Sequence, residues 1–324
     1  MMRAMVTGST GFMGQHLVRA LRARGDFVVG MERDRAPGVS TVANAAVWAD
    51  LSLHHAVPVV ERILAEYEID TVFHLAAQAQ VSVAKADPIG TFDANVRGTL
   101  SVLEASRRQG VRRVLIASSD KAMGDGPVPY REDQPVLASG VYATSKAMAD
   151  LAAQSYAREY ALPVAIVRCA NLYGPGHANF SAIIPDAIRS ALTGNPLVLR
   201  SDGHSRRDFL YVGDAVDGYL ALADSILLGA WNFGTGAPLR VLDVVQAVER
   251  AVGAKIKVQR AAAESGRSPE RQATEIRDQW LDVTKARELL GWVPKHTIDQ
   301  GLAETVPWYR EHLDGVRGSA DTRG

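Results

Sequence analysis

Thr7-Gly8-Ser9-Thr10-Gly11-Phe12-Met13-Gly14 follows the apolar run Ala4 to Thr7 and leads into Gln15 to Arg24, which reads as a helix. The three glycines therefore stand where a strand turns into a helix. Without side chains at Gly8, Gly11 and Gly14, the backbone of this turn, with Thr10, Phe12 and Met13, can approach a pyrophosphate. The start of the helix offers it unpaired N–H groups and the positive end of the helix dipole. A glycine pattern alone is a weak signal; the strand–turn–helix setting and a carboxylate at the end of the next strand strengthen it. That carboxylate is Glu32, after Phe27 to Met31, at the distance expected for a group holding a ribose 2′-hydroxyl. It would repel a 2′-phosphate, so the expected cofactor is NAD rather than NADP, although Arg33 and Arg35 beside it argue the other way. Asp50 and Leu51, after a third strand, are placed at the edge of the adenine.

Outward from this turn, Thr71 to Leu75, Arg113 to Ala117 and Val164 to Val167 are further strand candidates, each separated from the last by a helical stretch. Strands joined by helices long enough to cross over imply parallel βαβ units, hence an α/β fold with a doubly wound parallel sheet of the Rossmann type. From about Asn171 the chain breaks into Pro/Gly-punctuated pieces that fit a smaller substrate-binding lobe. The expected division is residues 1–170 for the nucleotide-binding domain, with a return contribution near 205–235, then 171–204 and 236–317 for the lobe and 318–324 for a frayed tail.

The 324 residues contain 36 Lys plus Arg and 36 Asp plus Glu, so no net positive field exists to hold a nucleic acid or an anionic membrane. The single cysteine, Cys169, allows no internal disulfide and no cysteine-based metal cage, and sits in an apolar run that reads as core. No stretch has signal-peptide or membrane-spanning character, so a cytoplasmic protein is expected. Only 7 of the 36 cationic residues are lysines, and two of these, Lys121 and Lys146, fall where the chemistry is placed. Lysine differs from arginine in that burial can lower its pKa toward neutrality.

Tyr142 and Lys146 are spaced i, i+4 and share one helix face, where an ammonium near a phenol lowers the phenol's pKa. Several motifs point the same way: the glycine turn, His74-Leu75-Ala76-Ala77-Gln78, Asn95 with Gly98-Thr99, Ser118-Ser119-Asp120-Lys121, Tyr142-Ala143-Thr144-Ser145-Lys146, Asn171-Leu172-Tyr173-Gly174-Pro175-Gly176, Arg207-Asp208-Phe209 and Leu290-Gly291-Trp292. In these the chain resembles the extended short-chain dehydrogenase/reductases, in particular their nucleotide-sugar epimerases and dehydratases, over nearly its whole length. The resemblance implies Tyr142 as the base that opens hydride transfer, Lys146 as its partner and nicotinamide-ribose ligand, and Ser119 as the hydroxyl beside the reacting oxygen. Leu75, Ala76, Ala77 and Gln78 join the cofactor site.

Asp120 and Lys121 depart from what an epimerase needs, because oxidising and re-reducing one carbon takes only the Ser-Tyr-Lys set. Eliminating water takes a base for a carbon-bound proton and an acid for the leaving hydroxyl, and adjacent Asp and Lys can supply both. In similar 4,6-dehydratases the pair is Asp-Glu or, in the CDP-glucose type, Asp-Lys. By that resemblance Asp120 protonates the departing C6 oxygen and Lys121 removes the C5 proton. Met123 stands where a tyrosine is common and takes an aromatic hydroxyl away from the sugar. The stored hydride can go to C6, giving a 4-keto-6-deoxy sugar, or return to C4, giving a 5,6-ene. The expected reaction is the second, on UDP-N-acetylglucosamine, as in tunicamycin-type biosynthesis; a 4,6-dehydratase, a 4-epimerase and a non-catalytic NAD sensor are the alternatives. Asn171, Arg207 and Arg271, or Arg277 in place of Arg271, are expected on the substrate diphosphate, and His177 and Phe180 over the sugar. Alanines spread around the Tyr142 to Tyr160 helix imply close packing on two sides, one of them a second subunit in a homodimer.

Overall fold

Residues along the central strands alternate between two apolar layers. Ala4 and Val6 join one core cluster while Met5 joins the other, and Ala165 and Val167 oppose Val164 and Ile166 in the same way. Strands apolar on both faces belong to a parallel sheet covered by helices on each side. The computed structural model describes residues 1–34, 42–199, 201–260 and 278–321, with side chains through Leu313.

The central sheet contains β1 (Arg3–Thr7), β2 (Phe27–Glu32), β3 (Ala45–Trp48), β4 (Thr71–His74), β5 (Arg113–Ala117) and β6 (Val164–Cys169). After the short strands β7 (Asn171–Tyr173), β8 (Leu197–Leu199), β9 (Arg206–Arg207) and β10 (Phe209–Tyr211), the chain returns to it as β11 (Gly229–Phe233). The order is β11-β6-β5-β4-β1-β2-β3, and every pair is parallel. The order reverses between β1 and β4, which opens a crevice at their carboxyl ends, the place where such sheets bind nucleotides. α1 (Phe12–Ala23) packs with α8 (Val212–Asp224) on one side. α2 (Ala56–Glu66), α5 (Gly98–Gln109) and α6 (Val141–Tyr160) cover the other, with the short α3 (Val81–Ala86) and α4 (Pro88–Phe92) packed against α6.

β7 and β10 pair in parallel, β8 pairs with β13 (Val258–Arg260), and β9 lies between β12 (Leu239–Arg240) and β14 (Asp278–Gln279). A third core, including Tyr173, Ile188, Phe209, Val248 and Tyr309, joins these strands to α7 (Ile183–Thr193), α9 (Val241–Val252) and the last helix, Ile298–Asp321.

Two boundaries differ from expectation. The first helix starts at Phe12 rather than Gln15, so Gly14 lies inside its first turn. The last helix continues to Asp321 through the segment expected to be frayed from Gly318. One interior glycine costs about 1 kcal/mol relative to alanine, too little to end a helix by itself.

Candidate active site

The glycine turn is built for close approach. Gly8 has φ +68°, and a Cβ there would lie 3.0 Å from the backbone of Ala76; at Gly14 a Cβ would lie 2.1 Å from the Gly8 carbonyl oxygen. The turn is thus pressed between β4 and the start of α1. That helix carries no acidic residue in its first turn and no side-chain cap, which leaves its positive end uncompensated. Glu32 reaches over this turn, where its carboxylate accepts hydrogen bonds from Ser9 Oγ and, both at 2.6 Å, from the Thr10 amide and hydroxyl. A bare helix start, a side-chain-free cradle and a carboxylate at its rim fit a dinucleotide without a 2′-phosphate. The Arg33 guanidinium pairs with Asp34 at 2.6 Å in an exposed contact, which offsets its charge. Asp50 accepts from the amide and hydroxyl of Ser52 at 2.9 and 2.6 Å, and Leu51 is buried against the second core.

A polar chain that sequence reasoning missed ties this turn to α6. Thr7 Oγ1 accepts from the amides of Leu75 and Ala76 and lies 2.8 Å from His74 Nδ1. His74 Nε2 lies 3.1 Å from Thr99 Oγ1, whose own proton goes to the Asn95 carbonyl at 2.6 Å. Thr99 can therefore only accept from His74, which places the imidazole proton on Nε2 and makes Thr7 the donor to Nδ1. Burial, then the charge of Lys146, push the His74 pKa down to about 3, so the ring is neutral. Asn95 holds the Gln78 amide at 2.7 Å and donates to Ser145 Oγ at 2.9 Å, and Ser145 donates to the Tyr142 carbonyl at 2.7 Å. Asn95 sits in a single π-turn, Asp93–Arg97. The motifs His74-Leu75-Ala76-Ala77 and Asn95 with Gly98-Thr99 were the sequence signal, but spacing does not show which atoms meet.

Ser119, Asp120, Lys121, Tyr142 and Lys146 converge beyond the ends of β5 and α6's first turn. Ser119 Oγ donates to Asp120 Oδ1 at 3.0 Å and accepts from the Lys121 amide, capping the short 3-10 helix Asp120–Met123. Lys121 Nζ lies 3.3 Å from Asp120 Oδ1 and 2.9 Å from Asn171 Oδ1. Asp120 is 1% exposed, and its Oδ2 is buried with no hydrogen-bond partner. Lys146 Nζ donates to the Ala117 carbonyl, and burial lowers its pKa to about 8.

The expected effect of Lys146 on Tyr142 is not realised. Burial and then the charge of Asp120 push the phenol up to about 12, against the opposing pull of a Ser119 hydrogen bond. The ammonium is turned to a main-chain carbonyl, which leaves the tyrosine protonated at neutral pH. The expectation that Lys146 lowers the Tyr142 phenol is thus overturned, because burial and Asp120 raise it.

A cavity of about 560 Å³ opens from this group, and Ser119, Lys121, Tyr142, Asn171, His177, Phe180 and Arg207 all line it, as does Phe12 from the glycine turn. His177 stacks on Phe12 with centroids 4.4 Å apart, its Nδ1 is buried without a partner, and burial lowers its pKa to about 4. Phe180 lies under the Arg189 guanidinium at 4.6 Å. Cys169, read as core, is indeed buried but also forms part of the cavity wall. Met123 departs from expectation: it is 0% exposed, packs in the first core cluster and is not among the lining residues. The 3-10 turn points it inward, and Gly124 then brings the chain so close to Leu137 that a Cβ would stand 1.9 Å from its carbonyl oxygen. Arg271 and Arg277 lie outside the described residues.

Behind Lys146, Asp150 receives Arg168 at 2.9 Å and Ser118 Oγ at 2.7 Å, an ion pair with no access to solvent. The i+4 spacing from Lys146 to Asp150 was its only sequence trace.

Comparison with known proteins agrees with this geometry. A profile of the NAD dependent epimerase/dehydratase family matches residues 4–234. The chain is 32% identical over 320 residues to a UDP-glucose 4-epimerase of Mycolicibacterium smegmatis, covering 95% of this chain and 99% of the relative. It is 31% identical over 344 residues to a dTDP-glucose 4,6-dehydratase of Xanthomonas campestris pv. campestris, covering 98% and 95%. The solved dTDP-glucose 4,6-dehydratase of Streptomyces venezuelae, which has NAD bound, superposes with a TM-score of 0.84 at 29% identity, covering 97% of this chain and 98% of that one. The glycine turn, the Ser-Tyr-Lys group and these matches over nearly the whole length make the chain a member of the NAD dependent epimerase/dehydratase family, within the extended short-chain dehydrogenase/reductases.

Proposed function

We propose that the protein is an NAD-dependent dehydratase of a nucleotide-bound hexose, which oxidises C4 transiently and expels water across C5–C6. Its substrate in this reading is UDP-N-acetylglucosamine and its product the 5,6-ene with the C4 hydroxyl restored. One observation carries the reading: Lys121, on the wall of the cavity that Ser119 and Tyr142 also line, stands 3.3 Å from the carboxylate of Asp120, which is buried directly behind that wall. An epimerase has no work for such a pair.

The glycine turn and Glu32 would hold the adenosine and pyrophosphate of NAD, and Tyr142 and Lys146 its nicotinamide end. NAD, when bound, supplies the acceptor for the C4 hydride and the means to return it. The chain supplies proton management. Tyr142, whose phenol is raised to about 12 and must first lose its own proton, takes the C4 hydroxyl proton as the phenolate, with Ser119 donating to the same oxygen, and gives that proton back when the hydride returns to C4. Oxidation at C4 makes the C5 proton acidic, and Lys121 Nζ removes it. The C5–H electron pair becomes the C5–C6 double bond, the C6–O bond breaks, and Asp120 gives its proton to the leaving oxygen, which departs as water. Lys121 then carries the proton that Asp120 lacks, and transfer across their contact restores the starting pair. This needs Asp120 protonated and Lys121 neutral at the outset, the tautomer of the ion pair with the same total charge, and the orphaned Asp120 Oδ2 is a site for that proton.

Return of the hydride to C4 is the outcome taken in this reading, and the proton NMR experiment below distinguishes it from transfer to C6. Arg207 and Asn171 would face the diphosphate, and His177 and Phe180 the sugar. Residues 1–170 with the return near 205–235 form the nucleotide-binding unit in this reading, the rest through 317 the substrate lobe. We place the enzyme in the cytoplasm, where a lone thiol such as Cys169 stays reduced. Among the described residues no helix is long and apolar enough to cross a membrane.

The test is proton NMR of the protein incubated with NAD and UDP-N-acetylglucosamine. Vinylic C6 signals with the C4 proton retained support the proposal; a new C6 methyl group means a 4,6-dehydratase instead, and interconversion at C4 alone means an epimerase. Lys121→Met should abolish elimination yet leave NAD binding intact.

A homodimer is part of the same reading. Leu100 on α5 and Met148 and Leu151 on α6 are 39, 45 and 47% exposed, an apolar strip on neighbouring helices that a second copy would cover. Sedimentation that finds only monomer at micromolar concentration would defeat it.

A further inference from the structure

We propose that His296 is a proton-operated clasp on the last helix, and that a nucleotide sugar binds the cavity more tightly when the ring carries both of its protons. The inference rests on the reading of that cavity as a nucleotide-sugar site. His296 stands just before the helix, between carboxylates of two different elements. Its amide donates to Oδ2 of Asp214 on α8 at 3.0 Å, and its Nδ1 lies 2.9 Å from Oδ1 of the same residue. Its Nε2 lies 3.4 Å from Oε1 of Glu304, inside the last helix. A carboxylate oxygen only accepts, so Nδ1 keeps its proton in either charge state of the ring, and the proton that titrates is the one on Nε2. With that proton the ring pairs with Glu304; without it a lone pair faces the carboxylate and the contact turns repulsive.

The helix so held supports the cavity wall. A Cβ at Gly301 would stand 2.2 Å from Tyr173 Oη, and Tyr173 lines the cavity. Tyr309 Oη donates to the His177 carbonyl, and its ring lies 6.4 Å from that of Phe180; both partners line the cavity as well. Tyr211, paired with Tyr173 across β10 and β7, donates to Glu304 Oε2 at 2.5 Å, and its ring lies 4.5 Å from the imidazole. Release of Glu304 from His296 therefore loosens a helix that backs the wall at three places. The other charged groups around the clasp are already paired, Asp217 with Lys295 at 2.5 Å and Asp299 with Arg250 of α9 at 2.9 Å. Burial holds the phenols of Tyr173 and Tyr211 above their usual 10, so the imidazole is the group whose ordinary pKa lies near neutrality. Against burial, the bond to Asp214 and the two carboxylates raise that pKa above 6.5. The clasp is thus closed below pH 6.5 and opens as pH rises through the higher folded value. A ligand that prefers it closed must in turn raise the His296 pKa by the same factor, since coupling between two sites is reciprocal.

The probe is the 4-deoxy analogue of UDP-N-acetylglucosamine, which has no C4 hydroxyl to oxidise and a diphosphate diester that does not titrate near neutrality. Its dissociation constant from the NAD-loaded protein, read by calorimetry, should rise from pH 6 to pH 8.5 by about threefold more in the wild type than in His296→Gln. Lys146, whose pKa burial lowers to about 8, is common to both proteins, so the difference isolates His296. The chain has 8 histidines, and with labelled histidine the carbon NMR signal missing from His296→Gln is that of His296. Saturating analogue should raise its titration midpoint by about 0.5 pH, the same factor of three. Glu304→Gln leaves His296 free to titrate; it should lower that midpoint and shrink the pH dependence of binding, which tests the clasp even if His296→Gln does not fold. Equal pH dependence in the wild type and the variants, or a His296 midpoint that the analogue leaves unmoved, overturns the inference while the cavity remains a nucleotide-sugar site. If neither the analogue nor UDP binds at any pH, the reading of the cavity itself fails, and the inference with it.

Discussion

Replacing Arg168 with methionine removes the cation from an ion pair that water does not reach. Arg168 is 1% and Asp150 0% exposed. The guanidinium donates to the Asp150 carboxylate at 2.9 and 3.1 Å and to the Glu132 carbonyl at 3.2 Å. After the replacement Asp150 keeps Ser118 Oγ and Gln154 Nε2, both at 2.7 Å, but these are neutral donors present before and after and so offset nothing. Breaking one side of a buried pair costs about 3–5 kcal/mol because a charge is left uncompensated. Methionine retains most of the apolar volume, so the cavity contribution is small and the expected loss at pH 7 is about 3–5 kcal/mol.

The pH dependence has a definite sign. Burial pushes the Asp150 carboxyl up, but the hydrogen bond and charge of Arg168 outweigh it and hold it below 3.8. In the wild type this stabilisation is present above pH 3.8 and is lost only as pH falls through the lower folded value. Without Arg168 burial prevails, the carboxyl titrates above its unfolded value, and the penalty shrinks as pH falls from 7 toward 5. Adding Asp150→Asn to Arg168→Met removes the orphaned charge and should recover part of the loss at pH 7. Urea-induced unfolding followed by circular dichroism, at pH 7 and pH 5, measures all of this. A loss below about 1 kcal/mol at pH 7, or a penalty that grows on acidification, would refute the assignment of an uncompensated buried charge.

Gly14→Ala places a methyl 2.1 Å from the Gly8 carbonyl oxygen and should abolish NAD binding by fluorescence titration, with the helix content kept in circular dichroism. His296, between Asp214 at 2.9 Å and Glu304 at 3.4 Å, has a raised pKa: burial lowers it, and the hydrogen bond to Asp214 and the two carboxylates more than reverse that. Its stabilising contribution is therefore full below pH 6.5 and is lost as pH rises through the folded value, so His296→Gln should flatten the stability–pH curve just above 6.5. Cys169, buried and pushed up to about 12, should react with a thiol-specific reagent at pH 8 only as fast as the protein unfolds; rapid labelling of the native protein would show the cavity wall to be open there.

Much of the fold is local enough to be read along the chain. Strands buried on both faces must be apolar throughout, glycines must stand where backbone meets backbone, and a helix following such a turn exposes its N-terminus by construction; these requirements write themselves into residues 4–32. Ser119, Asp120, Lys121, Tyr142 and Lys146 were singled out by the resemblance to the extended short-chain dehydrogenase/reductases, because a tyrosine and a lysine four residues apart are by themselves ordinary on a helix surface. Arg168 was not legible as a partner, because a cation inside a β-strand of otherwise apolar residues shows no counter-ion until α6 is laid across it.

What sequence alone determined, then, is the parallel α/β architecture and the dinucleotide turn with its Glu32 rim, set by periodicity and glycine placement over short spans, while the roles assigned to Ser119, Asp120, Lys121, Tyr142 and Lys146 are those that the resemblance to the family implies. Only the tertiary structure decided their electrostatics. Tyr142 is raised rather than lowered because burial and Asp120 act on it while Lys146 turns to Ala117. Met123 enters the core instead of the cavity, and Asn171 reaches back from β7 to hold Lys121. Burial and the distances between charges depend on contacts between distant parts of the chain, 29 residues apart for Lys146 and Ala117 and 50 for Lys121 and Asn171, and no spacing within the sequence encodes them.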